Sequence, residues 1–181
     1  MRGRGKVVMR YSVAAAVLII LAGIACSQDG FDKSQFQQFE SESSDYRLAL
    51  PEGWVHDRTL DSPSGRIETF AHANEEGDVT GTLSVSVRME DERAGLDFEE
   101  FSQQVLASVG AVERLDDREV AGEQAVVYKD AAVRGGSGLQ TEAAFLRHGT
   151  AVWGLTLTYQ TSEGDSFSGL FDPILDEFSF L

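Results

Sequence analysis

The residues able to do chemistry in this 181-residue chain are few in kind. There is one cysteine, Cys26, and there are three histidines, His56, His72 and His148. A zinc site draws its His and Cys ligands from short spacings, such as i and i+4 on one helical face, and no two of these residues stand so. His148, beside Gly149, belongs to a tight turn and reads as a solvated side chain. His56 and Asp57 follow the turn Pro51-Glu52-Gly53-Trp54, where they are placed to line a pocket or meet a partner. Serine hydrolysis of the G-x-S-x-G kind is not encoded, since "GGSGL" at 135–139 lacks the final glycine. The overlapping "RGGSG" suits a hairpin loop better than an anion cradle. Two acidic groups, Glu90-Asp91-Glu92 and Glu113 with Asp116, Asp117 and Glu119, suggest calcium at first sight. Calcium takes about six to eight oxygens in fixed geometry, and neither group has EF-hand spacing, so both read as solvated loops. The residues therefore assign no catalytic set, no metal and no cofactor, and the expectation is a protein that is not an enzyme.

Cys26 has a different context. Residues 1–10 carry Arg2, Arg4, Lys6 and Arg10 with no acid, and 11–25 are uncharged and mostly apolar. A spanning helix needs about 20 apolar residues, so the run is short for one. A basic start, a short apolar run and small residues before a cleavage point make a secretory signal peptide. Cys26 follows the small residue Ala25 at once, and the segment resembles a bacterial lipobox. That resemblance implies cleavage after Ala25 and lipidation of the Cys26 thiol. The usual box has Leu three residues before the cysteine. Here Gly23-Ile24-Ala25 precede Cys26, and Leu21-Ala22-Gly23 sits two residues early. Plain secretory cleavage after Ala25 and an uncleaved N-terminal anchor are the alternatives. If the cell has two membranes, Ser27 after the cysteine resembles the outer-membrane sorting pattern, and an exported chain anchored in this way sits at the outer membrane or faces the periplasm. In a cell with one membrane it faces outward from the cytoplasmic membrane.

Charge narrows the partners. The chain has 15 basic and 30 acidic residues, for a net charge of −15. Residues 1–25 hold four of the basic residues and no acid, so 26–181 carry 11 against 30, a formal −19. Nucleic-acid binding needs clustered Lys and Arg to displace counterions, which excludes it as a function. An anionic lipid surface would also repel such a chain, which favours a covalent anchor. With Cys26 committed, no thiol remains for an internal disulfide or a thiol-linked oligomer, and stability must come from packing.

The elements that would position any site follow from periodicity. Residues 26–45 are rich in Ser, Gln, Asp and Glu and predict a flexible acidic and polar tether. Tyr46, Leu48 and Leu50 alternate up to the Pro51–Gly53 break, giving a strand and a turn. Residues 67–72 give a second strand, and 82–89 a third with Leu83, Val85, Val87 and Met89 on one face. Asp97 with Glu100 has capping-box spacing, and Phe98, Phe101, Val105, Leu106 and Val109 predict an amphipathic helix over 97–110. Strands follow at 124–133, 139–147 and 151–159, the last with a slip at Gly154 that suggests a bulge. Residues 112–118 add a short strand before the Ala121-Gly122 turn. A closing helix, with Phe167, Leu170, Phe171, Ile174, Leu175 and Phe178 at helical spacing, restarts at Asp172 as cap and Pro173 as first residue. Trp54 and Trp153 suit a core, and Trp153 joins His56 and Asp57 as a candidate partner surface. The whole is α+β: a mostly antiparallel β-sheet covered by two or more amphipathic helices.

The order of "YRLALPEGW" at 46–54, the helix at 97–110, "VAGEQAVV" at 120–127 and "VWGLTLTYQTSEGDSFSGLFDPILDEFSF" at 152–180 resembles the PsbP-like fold. The resemblance spans most of 46–181 and implies an α/β/α sandwich. The fold serves an extrinsic photosystem II subunit, a Ran-binding nuclear import factor and small bacterial lipoproteins. Photosynthetic relatives help retain calcium and chloride, but no residue here matches their contacts and no site is carried over. The expectation is a signal peptide at 1–25, a tether at 26–45 and a PsbP-like domain at 46–181, forming an envelope lipoprotein that binds or stabilises an envelope protein. A small-ligand or divalent-cation binder is the alternative, and an unrecognised hydrolase a second.

Overall fold

A computed structural model describes residues 31–43, 45–63, 65–89, 98, 102, 112–130 and 138–181. The signal segment with Ala25 and Cys26, the acids at 90–92, residues 131–137 and most of the helix expected at 97–110 lie outside the described residues. Phe98 and Ser102 are both helical.

The chain forms two antiparallel sheets. Strands β1 (Phe36–Glu40), β2 (Tyr46–Pro51) and β11 (Ser179–Phe180) make a small sheet in the order β1-β2-β11. The large sheet holds β3 (Trp54–Ser62), β4 (Gly65–Ala73), β5 (Val79–Met89), β6 (Val112–Arg114), β7 (Arg118–Val120), β8 (Glu123–Asp130), β9 (Leu139–His148) and β10 (Ala151–Gln160). Its order is β3-β4-β5-β10-β9-β8-β6, with β7 also paired to β8. Two short helices, α1 (Gly164–Phe167) and α2 (Phe171–Glu177), lead back to β11. No helix among the described residues is long and apolar enough to cross a membrane.

Alternation explains the core. Side chains two apart share a face, and register lines them up across strands. Val85, Leu155, Ala144 and Val127 form one buried row, and Glu68 on β4 ends it. Phe70, Leu83 and Leu157 form the next row. The small sheet covers this inner face, with Phe39 against Phe70 at 5.3 Å between ring centroids and Tyr46 against Trp153 at 5.8 Å. The opposite face holds Tyr128, Ala143 and Phe145, against which Phe98 packs. Cover on the inner face therefore comes from a second sheet and short helices, and not from amphipathic helices alone.

Three further expectations change. Part of the predicted tether is structured: Asp32 accepts from the Ser34 amide at 3.0 Å to start a turn of 3-10 helix, and residues 36–40 pair with β2. Polar composition hid this strand, because Phe36 and Phe39 stand three apart and so face opposite sides of it. Gly154 is not a bulge. β10 keeps regular register with both neighbours, so Trp153 continues the Leu155-Leu157-Tyr159 face and Val152 takes the other. A Cβ at Gly154 would lie 2.8 Å from Ser86 Oγ, which explains the glycine by close approach. In α2, Leu170 is the cap residue and Phe171 the first helical one. Pro173 is thus third, still within the first turn, where a missing N–H costs nothing. The Ala121-Gly122 turn forms as expected, with both residues at positive φ (53° and 83°).

Candidate functional site

Polar side chains in the core come first, because buried titratable groups are where chemistry concentrates. Glu68 is 1% exposed. Tyr46 donates to its Oε2 at 2.8 Å, and Arg66 Nη1 stands 3.6 Å from Oε1, an ion pair too long for a hydrogen bond. Arg66 Nε donates to Asp61 at 2.7 Å. Burial, and then the hydrogen bond to Glu68, push the Tyr46 hydroxyl far above the ordinary tyrosine range. A similar pair lies across the sheet: Tyr159 donates to buried Glu142 at 3.2 Å, Lys129 approaches the same oxygen at 3.3 Å, and burial again raises the tyrosine. Each carboxylate takes one tyrosine hydrogen bond and has a cation nearby, while Glu68 Oε1 and Arg66 Nη1 are buried without a hydrogen-bond partner among the described residues. These are pairs that join layers and strands, not an acid and a base facing a cleft.

The residues singled out in the sequence separate in space. Trp153 is 6% exposed, with its ring among Tyr46, Phe178 and Phe180. It belongs to the core and offers no partner surface. His72 shares a hydrogen bond of 2.9 Å with Thr80 and lies against Phe167 and Trp54. His148 is not simply solvated. Its ring stacks on Phe180 at 3.8 Å, and Nδ1 meets Glu123 Oε1 at 2.9 Å. Asp117 pairs with Arg114 at 2.9 Å. Among the described residues no three His, Cys, Asp or Glu side chains converge as metal ligands.

His56 and Asp57 do share a feature, the outer strand β3. It ends the large sheet, and among the described residues only one of its sides is paired, to β4. Register shifts between His56 and Arg58, leaving Asp57 as the extra residue of a bulge. The bulge brings His56 Nε2 to 3.1 Å from Thr59 Oγ1, and Asp57 holds Arg58 at 2.7 Å. Beyond it β3 is regular to Ser62. On one face of this hairpin, Val55 is 60% exposed, Leu60 55% and Ile67 43%, with Leu60 and Ile67 directly paired. Apolar side chains beside a strand edge that has no partner among the described residues mark this hairpin as the candidate contact surface. Sequence reasoning reached His56 and Asp57 but missed Leu60, because "HDRTLD" is too charged for its alternation to show.

No protein-family model matches the chain, and no curated protein matches it. Solved structures are similar to it. Cyanobacterial PsbP (CyanoP) from Synechocystis sp. PCC 6803 superposes with a TM-score of 0.54 at 16% identity, over 84% of this chain and 96% of that one. The chain has a PsbP-like fold. The Ran-binding protein Mog1p of Saccharomyces cerevisiae gives 0.53 at 10% identity, over 79% and 94% of the two chains. LpqN of Mycobacterium tuberculosis, a protein involved in cell envelope biogenesis, gives 0.50 at 13% identity, over 81% and 90%. At such identities the PsbP-like likeness establishes architecture, and the sites of these proteins stay their own.

Proposed function

We propose that this chain is a non-enzymatic envelope lipoprotein whose PsbP-like domain works by binding a protein at the β3 edge. The observation that carries the reading is the exposed apolar hairpin of Val55, Leu60 and Ile67 on a strand whose outer edge has no partner among the described residues. An edge of this kind gives affinity through main-chain hydrogen bonds and specificity through alternate side chains. Mog1p, described as Ran-binding, and LpqN, involved in envelope biogenesis, support a binding role in an envelope setting for this fold. The address is read from the basic start, the short apolar run and Cys26 after Ala25. A diacyl modification at Cys26 supplies more than one acyl chain, enough for lasting attachment where one chain gives marginal binding.

Two substitutions in the full chain test the two halves. Cys26→Ser is expected to move the protein from the membrane fraction to the exported soluble fraction and to abolish the mass increment of the lipid. A full-length chain that still sediments with membranes would refute the anchor. Leu60→Asp is expected to leave localisation intact and to abolish co-isolation of the bound protein from detergent-solubilised envelopes. Unchanged co-isolation would refute the β3 edge as the site.

A further inference from the structure

We infer that the occupant of the β3 edge is a second copy of this chain, joined strand to strand about a two-fold axis at Leu60. The inference rests on the reading of that edge as a binding surface and names what fills it.

Main-chain direction comes first. Ser62 and Gly65 close a hairpin whose loop is two residues long, so they form its hydrogen-bonded pair. Antiparallel pairs alternate between bonded and non-bonded. The main-chain groups of Ser62, Leu60 and Arg58 therefore turn toward β4, and those of Asp61 and Thr59 turn to the open edge. An antiparallel copy satisfies the edge only where an outward residue meets an outward residue. Three two-fold registers do so: Thr59 on Thr59, Asp61 on Asp61, and Thr59 on Asp61.

Charge then selects among them. Thr59 on Thr59 places Asp57 opposite Asp61, and Asp61 on Asp61 opposes two carboxylates directly. Like charges facing each other across a strand pair are destabilising. Thr59 on Asp61 opposes no like charges. It sets Arg58 against Ser62 and Leu60 against Leu60, with Ile67 of each copy flanking on the same face. The apolar patch of one hairpin then covers that of the other. Four main-chain hydrogen bonds form between Thr59 and Asp61 of the two copies. The register lies wholly beyond the bulge at Asp57, where β3 pairs regularly.

Net charge points the same way. The hairpin from 54 to 73 holds Asp57, Asp61 and Glu68 against Arg58 and Arg66, a formal −1 in a chain of −15. Two acidic copies repel least where each is nearly neutral. Two-fold pairing uses the same patch on both partners and closes after two copies.

The test uses the full chain purified in detergent. Wild type is expected to sediment at twice the protein mass of a monomer. Thr59→Pro removes an outward N–H from an edge position that tolerates proline, and Leu60→Asp places charge at the axis. Both are expected to sediment as monomers with unaltered circular dichroism. Leu60→Cys is expected to form a disulfide dimer on mild oxidation far faster than Val55→Cys. A non-bonded cross-strand pair stands about 4.5 Å apart at Cα, within disulfide range, and Cys26 contributes equally to both variants. A dimer that survives both Thr59→Pro and Leu60→Asp, or equal cross-linking of the two cysteine variants, would overturn the inference. A monomeric wild type that still retains an envelope protein, lost in Leu60→Asp, would overturn the second copy and leave the surface standing. A monomer that retains nothing would sink both.

Discussion

Tyr46 shows what a single hydroxyl does when buried. It lies in the small sheet and reaches Glu68 in the large one at 2.8 Å, so one hydrogen bond ties two layers. Tyr46→Phe leaves the buried carboxylate short of a donor, a loss of about 1–3 kcal/mol, to be read from the midpoint of denaturant unfolding. Alkali probes the same bond. Burial and Glu68 hold Tyr46 neutral in the fold, and burial and Glu142 do so for Tyr159, so both folded pKa values lie above the unfolded one. A raised value means the stability is fully present below the unfolded pKa of about 10 and is lost as pH climbs above it. Stability is expected to fall from that point, and to fall less steeply in Tyr46→Phe, which has one such group fewer. Equal slopes in the two proteins would show that Tyr46 does not titrate against folding. Trp153 makes the opposite point. Its Nε1 is buried without a hydrogen-bond partner among the described residues, so the ring is held by packing.

At the scale of elements, clean alternation was legible and mixed composition was not. Residues 82–89 spelled out most of β5 by alternation, while 139–147 and 151–159 matched most of β9 and β10, whose buried residues lie on both faces. β1 and β3 escaped for physical reasons. β1 pairs through its backbone while Gln37, Gln38 and Glu40 face solvent. β3 carries Asp57, Arg58 and Asp61, as an edge strand does when charge limits uncontrolled pairing. The candidate surface was half visible for the same reason: His56 and Asp57 stood out as chemistry, while Leu60 sat between charges. Hydrogen exchange tests β1 directly. Amides of 36–40 that bond to β2 are expected to exchange slowly, as β2 does, and uniform fast exchange there would restore a tether through residue 45.

For the whole molecule the governing quantity is charge. Two chains of −15 repel over about 30 Å at 10 mM salt and over about 8 Å at physiological salt. Self-association through the nearly neutral β3–β4 hairpin is therefore expected to strengthen as salt rises between those limits, measured by sedimentation. Weakening over that range would mean that ion pairs, and not Leu60 and the strand backbone, hold the copies together.

The ordered turn at Lys33 and the strand that follows it also set a length. If Cys26 carries the proposed lipid and residues 26–45 were all extended leash, the domain would roam some 65 Å from it, at about 3.3–3.6 Å per residue. With the chain already committed at residue 33, seven residues remain from Cys26, a reach of about 25 Å. On the lipid anchor proposed at Cys26, a body on so short a mooring would skim the bilayer. It would meet neighbours rooted in the same leaflet and would not cross a wide gap to find others.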